Sequence, residues 1–137
     1  MQRLETKARV RALQILYAWD VSGRPPLETA AARVAALYPD SRALELRSRE
    51  LAGRAIAGVP EFDRRIGQCV EHWRLERVGV VERNVLRLAL AELAEGSTPR
   101  RVVIDEAVKL AHWFAGDKAP AFVNGVLDAA ARDPGTP

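Results

Sequence analysis

The chain has 137 residues, 48% hydrophobic and 28% charged, with a formal net charge of +3 and a single cysteine, Cys69. That length fits one domain or two small helical units sharing a core, and the apolar fraction excludes a disordered chain. No apolar run approaches the roughly 20 residues needed to cross a bilayer, and one cysteine cannot form an internal disulfide. The charged opening MQRLETKARVRALQIL does not read as a signal peptide. A cytoplasmic protein is therefore expected. The excess charge is localised: residues 1–11 hold Arg3, Lys7, Arg9 and Arg11 against Glu5, and the remainder is balanced. Such concentration points to a polyanionic partner more strongly than a diffuse excess.

Apolar residues recur at helical spacing along nearly the whole chain, with no sustained two-residue alternation. A first helix is expected from about Leu4 to Val21, stopped by Ser22-Gly23-Arg24-Pro25-Pro26. A second runs from about Leu27 to Tyr38. Pro39-Asp40-Ser41 offers a break and an N-cap for a third, Arg42 to Ala57. Gly58-Val59-Pro60 closes that helix, a fourth reaches from Glu61 to Trp73, and Arg74 to Gly79 forms a connector. The fifth, Val80 to Glu95, carries Val81, Val85, Leu86, Leu88, Ala89, Leu90 and Leu93 around most of its circumference and should be the most buried. Gly96-Ser97-Thr98-Pro99 supplies a stop, a cap at Thr98 and a proline at the first helical position.

Residues 102–131, VVIDEAVKLAHWFAGDKAPAFVNGVLDAAA, read as two apolar-faced helices joined by a polar loop. Asn124-Gly125 favours a turn and costs roughly 1 kcal/mol inside a helix, so a close backbone approach is expected at Gly125. Trp19, Trp73 and Trp113 sit near helix ends, where tryptophan more often closes a core than stacks a ligand. The expected fold is all-α, about seven helices, three packed on four: residues 1–58 as an N-terminal bundle, 59–132 as a C-terminal bundle, and 133–137 as a frayed tail.

On the first helix, steps of about 100° per residue bring Arg3, Lys7, Arg11 and Gln14 onto one stripe. Leu4, Ala8, Ala12, Ile15, Leu16 and Trp19 form a separate apolar face, and Tyr17 borders the basic stripe. Arginine and lysine supply phosphate contacts, glutamine can read a base edge, and tyrosine can stack on an unpaired base. The plain alternative is a solvated face on an amphipathic helix.

Enzyme chemistry finds little support. Cys69-x-x-His72 has ligand-like spacing, but the second half of a zinc site is missing, so no metal is expected. No glycine-rich phosphate loop and no Gly-x-Ser-x-Gly elbow occur. Asp105-Glu106 and Glu92 could pair as carboxylates, yet Asp105-Glu106 sits where first-turn acids meet a helix N-terminus. Neither an enzyme nor a cofactor is expected.

Four blocks carry a family likeness: ALQILYAWD at 12–20, LERVGVVERNVLRLALAEL at 75–93, VVIDEAVKLAHWF at 102–114 and FVNGVLD at 122–128. In their order and spacing the chain resembles the NusB family of bacterial transcription antitermination factors, whereas residues 22–60 match only as helical filler. The resemblance implies two perpendicular helical bundles. It implies binding of the boxA element of ribosomal RNA transcripts together with the ribosomal protein NusE, and recruitment to an RNA polymerase antitermination complex. It further implies RNA contacts from Lys7, Arg9, Gln14 and Tyr17. Arg3 and Arg11 join that surface by helical geometry. Glu76 and Glu82 fall where the family faces NusE and the edge of the RNA site, although ordinary exposed glutamates would look the same. A homodimer that buries the basic helix is left open.

Two departures stand out. Glu5 and Thr6 interrupt the family's opening arginine run, and Asp117-Lys118-Ala119 replaces the usual Glu-Asp-Ser before FVNGVLD. Alanine is a poor N-cap, and a lysine there opposes the helix dipole, which a phosphate contact from Lys118 could offset. The NusB-like domain also fronts an rRNA cytosine methyltransferase, but FVNGVLD and the lack of a catalytic segment favour the stand-alone factor. The rival from another class is a helical protein-interaction adaptor on the same fold with weak or no RNA binding.

Overall fold

The computed structural model describes the backbone of residues 2–70 and 78–132, and the side chains of 4–70 and 78–131. Among the described residues there are seven helices and no strand: α1 Gln2–Val21, α2 Leu27–Leu37, α3 Arg42–Ala57, α4 Val59–Cys69, α5 Val80–Glu95, α6 Arg100–Ala115 and α7 Ala119–Arg132. None is long and apolar enough to cross a membrane. Helices α1, α2 and α3 pack on one another, α4 and α6 pack on α7, and α5 touches α1, α3, α4, α6 and α7. One continuous apolar cluster runs through both groups, from Ala12, Leu16 and Trp19 through Leu86, Leu88 and Leu90 to Val123 and Leu127.

Local chemistry sets most helix ends. Ser41 caps α3, its hydroxyl accepting from the Leu44 N–H at 3.2 Å. Gly96 ends α5 in the left-handed region (φ 77°), its N–H bonded to the Glu92 carbonyl. The fourth helix starts at Val59, earlier than expected, because Pro60 sits in its first turn, where no intrahelical N–H is needed. It ends at Cys69; Trp73 and the rest of the expected fourth helix lie outside the described residues, as do most of the connector and the 133–137 tail. Thr98 is not a cap. Helix α6 begins at Arg100, with Pro99 as its flanking residue and no side-chain cap bond.

Helix α5 is the most buried of the set, with every residue from Asn84 to Glu92 inside. The tryptophans divide: Trp19 is in the core, and Trp113 is 52% exposed at the end of α6. Ala119 is not a cap but the first residue of α7, packed into the core, so its methyl serves burial rather than capping.

The expected close approach at Gly125 is overturned. Both Asn124 and Gly125 face solvent in mid-helix, and a methyl added at Gly125 meets no atom of another segment within 4 Å among the described residues. With no neighbour to accommodate, the glycine only adds unfolded-state entropy. Gly125→Ala is expected to stabilise the fold by about 0.5–1 kcal/mol, measured as a higher urea midpoint with an unchanged slope.

Candidate nucleic-acid interface

Residues 7, 10, 14, 17 and 21 recur on one side of α1 at helical spacing. Lys7 is exposed there with no ion-pair partner among the described residues, and Tyr17 is 46% exposed. Gln14 is half-buried, its amide donating to the Tyr38 hydroxyl at 2.9 Å. The Arg3 side chain lies outside the described residues.

Arg9 does not face solvent, which corrects the expectation that it contacts RNA. It is 4% exposed, its guanidinium donating to both oxygens of Glu92 at 2.8 Å and to Glu106 at 3.1 Å. Thr6 and Lys109 complete the cluster, each donating to Glu106 at 2.7 Å. Burial works against the charged form of Arg9, but the two carboxylates outweigh it and hold the guanidinium more firmly protonated than usual. Burial likewise pushes the Glu106 carboxyl up. Hydrogen bonds from Lys109 and Thr6 and the nearby Arg9 charge override it and hold the group below its ordinary range. The paired carboxylates are thus Glu92 and Glu106, while Asp105 stays exposed and Glu106 is no first-turn acid. The helical repeat carried the signal, since Arg9 shares the side of α1 that holds Ala12, Leu13 and Leu16.

Arg11 is also engaged within the fold. Its Nε donates to Asp40 at 2.6 Å and its Nη1 to Gln14 at 3.1 Å, while its guanidinium lies 3.6 Å from the Tyr38 ring centroid. Tyr38 and Asp40 went unremarked as partners of this helix because contacts 24 to 29 residues apart leave no local pattern.

The carboxyl end of α1 meets the start of α5 through Asp20. Its carboxylate accepts from Arg83 at 2.9 Å, Asn84 at 3.1 Å and Arg87 at 2.9 Å, and Arg87 also grips Asp63 of α4. Burial pushes the Asp20 carboxyl up, but these donors prevail and hold it far below the usual carboxylate range. Next to Arg83, the half-buried Glu82 lines a pocket of about 320 Å³ together with Val78, Ala115, Lys118 and Phe122. Two residues that the sequence assigned separately, Glu82 and Lys118, therefore share one pocket. Glu76 lies outside the described residues. Among the described residues no group of three or more His, Cys, Asp or Glu is placed to hold a metal ion; His72 is outside them.

The arrangement defines an all-helical protein of three helices packed on four, with one long amino-terminal helix spanning both groups. Residues 6–132 match the NusB family. The chain is 42% identical to the transcription antitermination protein NusB of Solibacter usitatus over 128 residues, covering 93% of this chain and 88% of that protein. It is 38% identical to the NusB of Anaeromyxobacter dehalogenans, covering 96% of this chain and 92% of that protein. Among solved structures it is similar to the antitermination factor NusB in a complex of NusB and NusE with double-stranded RNA: 34% identity, TM-score 0.81, 95% of this chain and 97% of that chain. Thermotoga maritima NusB superposes with a TM-score of 0.83 at 29% identity, covering 93% and 90% of the two chains. The chain belongs to the NusB family.

Proposed function

We propose that this chain is a cytoplasmic transcription antitermination factor, a binding protein without catalysis. It holds boxA-type RNA of ribosomal RNA transcripts together with NusE and brings them to RNA polymerase. The observation that carries this reading is the exposed side of α1, where Lys7 and Tyr17 flank Gln14 in a chain 34% identical to a NusB solved with NusE and RNA. Lys7 supplies charge to a phosphate, Tyr17 a stacking face and Gln14 a polar edge; Arg3 extends the same stripe. Lys118 adds a second cation beside Glu82, which faces the protein partner together with Glu76. Each ligand presents surface to the other, so each strengthens the other's binding.

The test is a titration of labelled boxA-type RNA, with and without NusE, at two salt concentrations. Binding strengthened by NusE supports the factor. Partner binding with no RNA affinity supports the adaptor reading, which the withdrawal of Arg9 and Arg11 into ion pairs favours. Lys7→Ala and Lys118→Asp are each expected to weaken RNA binding several-fold and to flatten its salt slope by about 0.7 per lost phosphate contact. Unchanged affinity and slope would remove that residue from the interface. A homodimer formed through α1 would cover the same surface, and a mass that halves on adding RNA would reveal it.

A further inference from the structure

Resting on the reading of α1 as the RNA face, we infer that Asp40 occupies Arg11 as an RNA phosphate would, and so holds down the RNA affinity of that face. Arginine recognises a phosphate by presenting two parallel N–H groups to two oxygens. In this protein Asp40 receives that fork: Nε to Oδ2 at 2.6 Å and Nη2 to Oδ1 at 3.4 Å. The remaining nitrogen, Nη1, is turned onto Gln14, and one face of the guanidinium is covered by the Tyr38 ring. The charge of Arg11 is cancelled at the point where a phosphate would use it. An approaching phosphate meets a carboxylate instead.

The clamp comes from the short connection between α2 and α3, not from the core. Its two side chains keep 21% and 14% exposure, far more than the sealed Arg9–Glu92 pair at 5% and 3%. Tyr38 joins the same connection to Gln14. Residues 38–40 thus tie down two of the four residues of the basic stripe and leave Lys7 as the stripe's freely presented cation among the described side chains. Lowering the sequence-independent phosphate attraction makes binding lean on the protein partner and on base contacts, because phosphate contacts carry affinity without information.

Fluorescence anisotropy of labelled boxA-type RNA with NusE, across a salt series, tests this on wild type, Asp40→Asn, Arg11→Gln and the double variant. Asp40→Asn is expected to tighten binding by about three- to ten-fold at low salt and to steepen the salt slope by about 0.7, one added phosphate. Arg11→Gln alone is expected to stay within about two-fold of wild type and to erase the gain in the double variant. Weaker or unchanged binding by a folded Asp40→Asn protein overturns the inference. A large loss from Arg11→Gln in the wild-type background overturns it too, and does so even if Asp40→Asn fails to fold. No RNA binding by wild type with NusE overturns the proposed function itself, whereas wild-type binding with a silent Asp40→Asn overturns only the role of Asp40.

Discussion

Arg9→Ala is expected to lower the unfolding free energy by about 3–5 kcal/mol, the range for removing one partner of a buried ion cluster. The guanidinium sits between Glu92 and Glu106, with the Glu92 side chain only 3% exposed. Without it, two carboxylates face each other at a largely buried site, with Thr6 and Lys109 the donors left to Glu106 among the described residues. Urea denaturation would show the loss as a lower midpoint. RNA affinity, measured at a temperature where the variant is still folded, should change less than it does in Lys7→Ala. A variant that melts like wild type yet loses RNA would return Arg9 to the interface.

Arg87→Ala should be as severe, again about 3–5 kcal/mol. Arg87 is 1% exposed and joins Asp20 of α1 to Asp63 of α4 while accepting no help from solvent. Its loss takes the guanidinium from Asp63 and removes one donor from Asp20, which keeps Arg83 and Asn84, so the link from α4 to α5 is the one broken. The same cluster governs acid stability. Asp20 is depressed in the folded protein by Arg83, Asn84 and Arg87 against the opposing effect of burial. A depressed carboxylate stabilises the fold above its unfolded value, here 3.8, and that contribution fades as pH falls. Glu5, hydrogen-bonded to Arg47, and Glu106 are depressed too and act in the same direction. Melting temperature should therefore fall steeply below about pH 4 and fall less in Asp20→Asn, which starts lower. Equal acid sensitivity in both proteins would rule out Asp20 as the titrating group.

The helices were legible because periodicity and end signals are local. Ser41, Gly58 and Gly96 mark ends that the fold respects, and the all-round apolar pattern of Val80 to Glu95 foretold the buried α5. The interface was legible only in part. A stripe drawn at helical spacing assigns Lys7 and Tyr17 to the surface, but it cannot say which arginines of α1 will find acids far along the chain. Arg9 meets Glu92 and Glu106 across 83 and 97 residues, and Arg11 meets Asp40 across 29. Charge counted along the sequence treated these as free cations, whereas folding cancels both. Gly125 misled for the opposite reason: a small residue in a helix suggests a close neighbour, and none is there among the described residues.

Helix α5 gives the division into three and four helices a different meaning. It supplies the floor for α1 and α3 on one side and for α4, α6 and α7 on the other. Leu86, Leu88 and Leu90 are fully shielded in the one apolar cluster that both groups share, so removing α5 would open the interior of each. On that packing the two bundles are expected to be units of shape and not of folding. A single unfolding transition is therefore expected, coupling the rigidity of the amino-terminal helix to the integrity of the opposite end of the molecule. A loosened contact under α7 should then be felt at α1 as a shift in the whole folded population, with no chain of side chains needed to carry it.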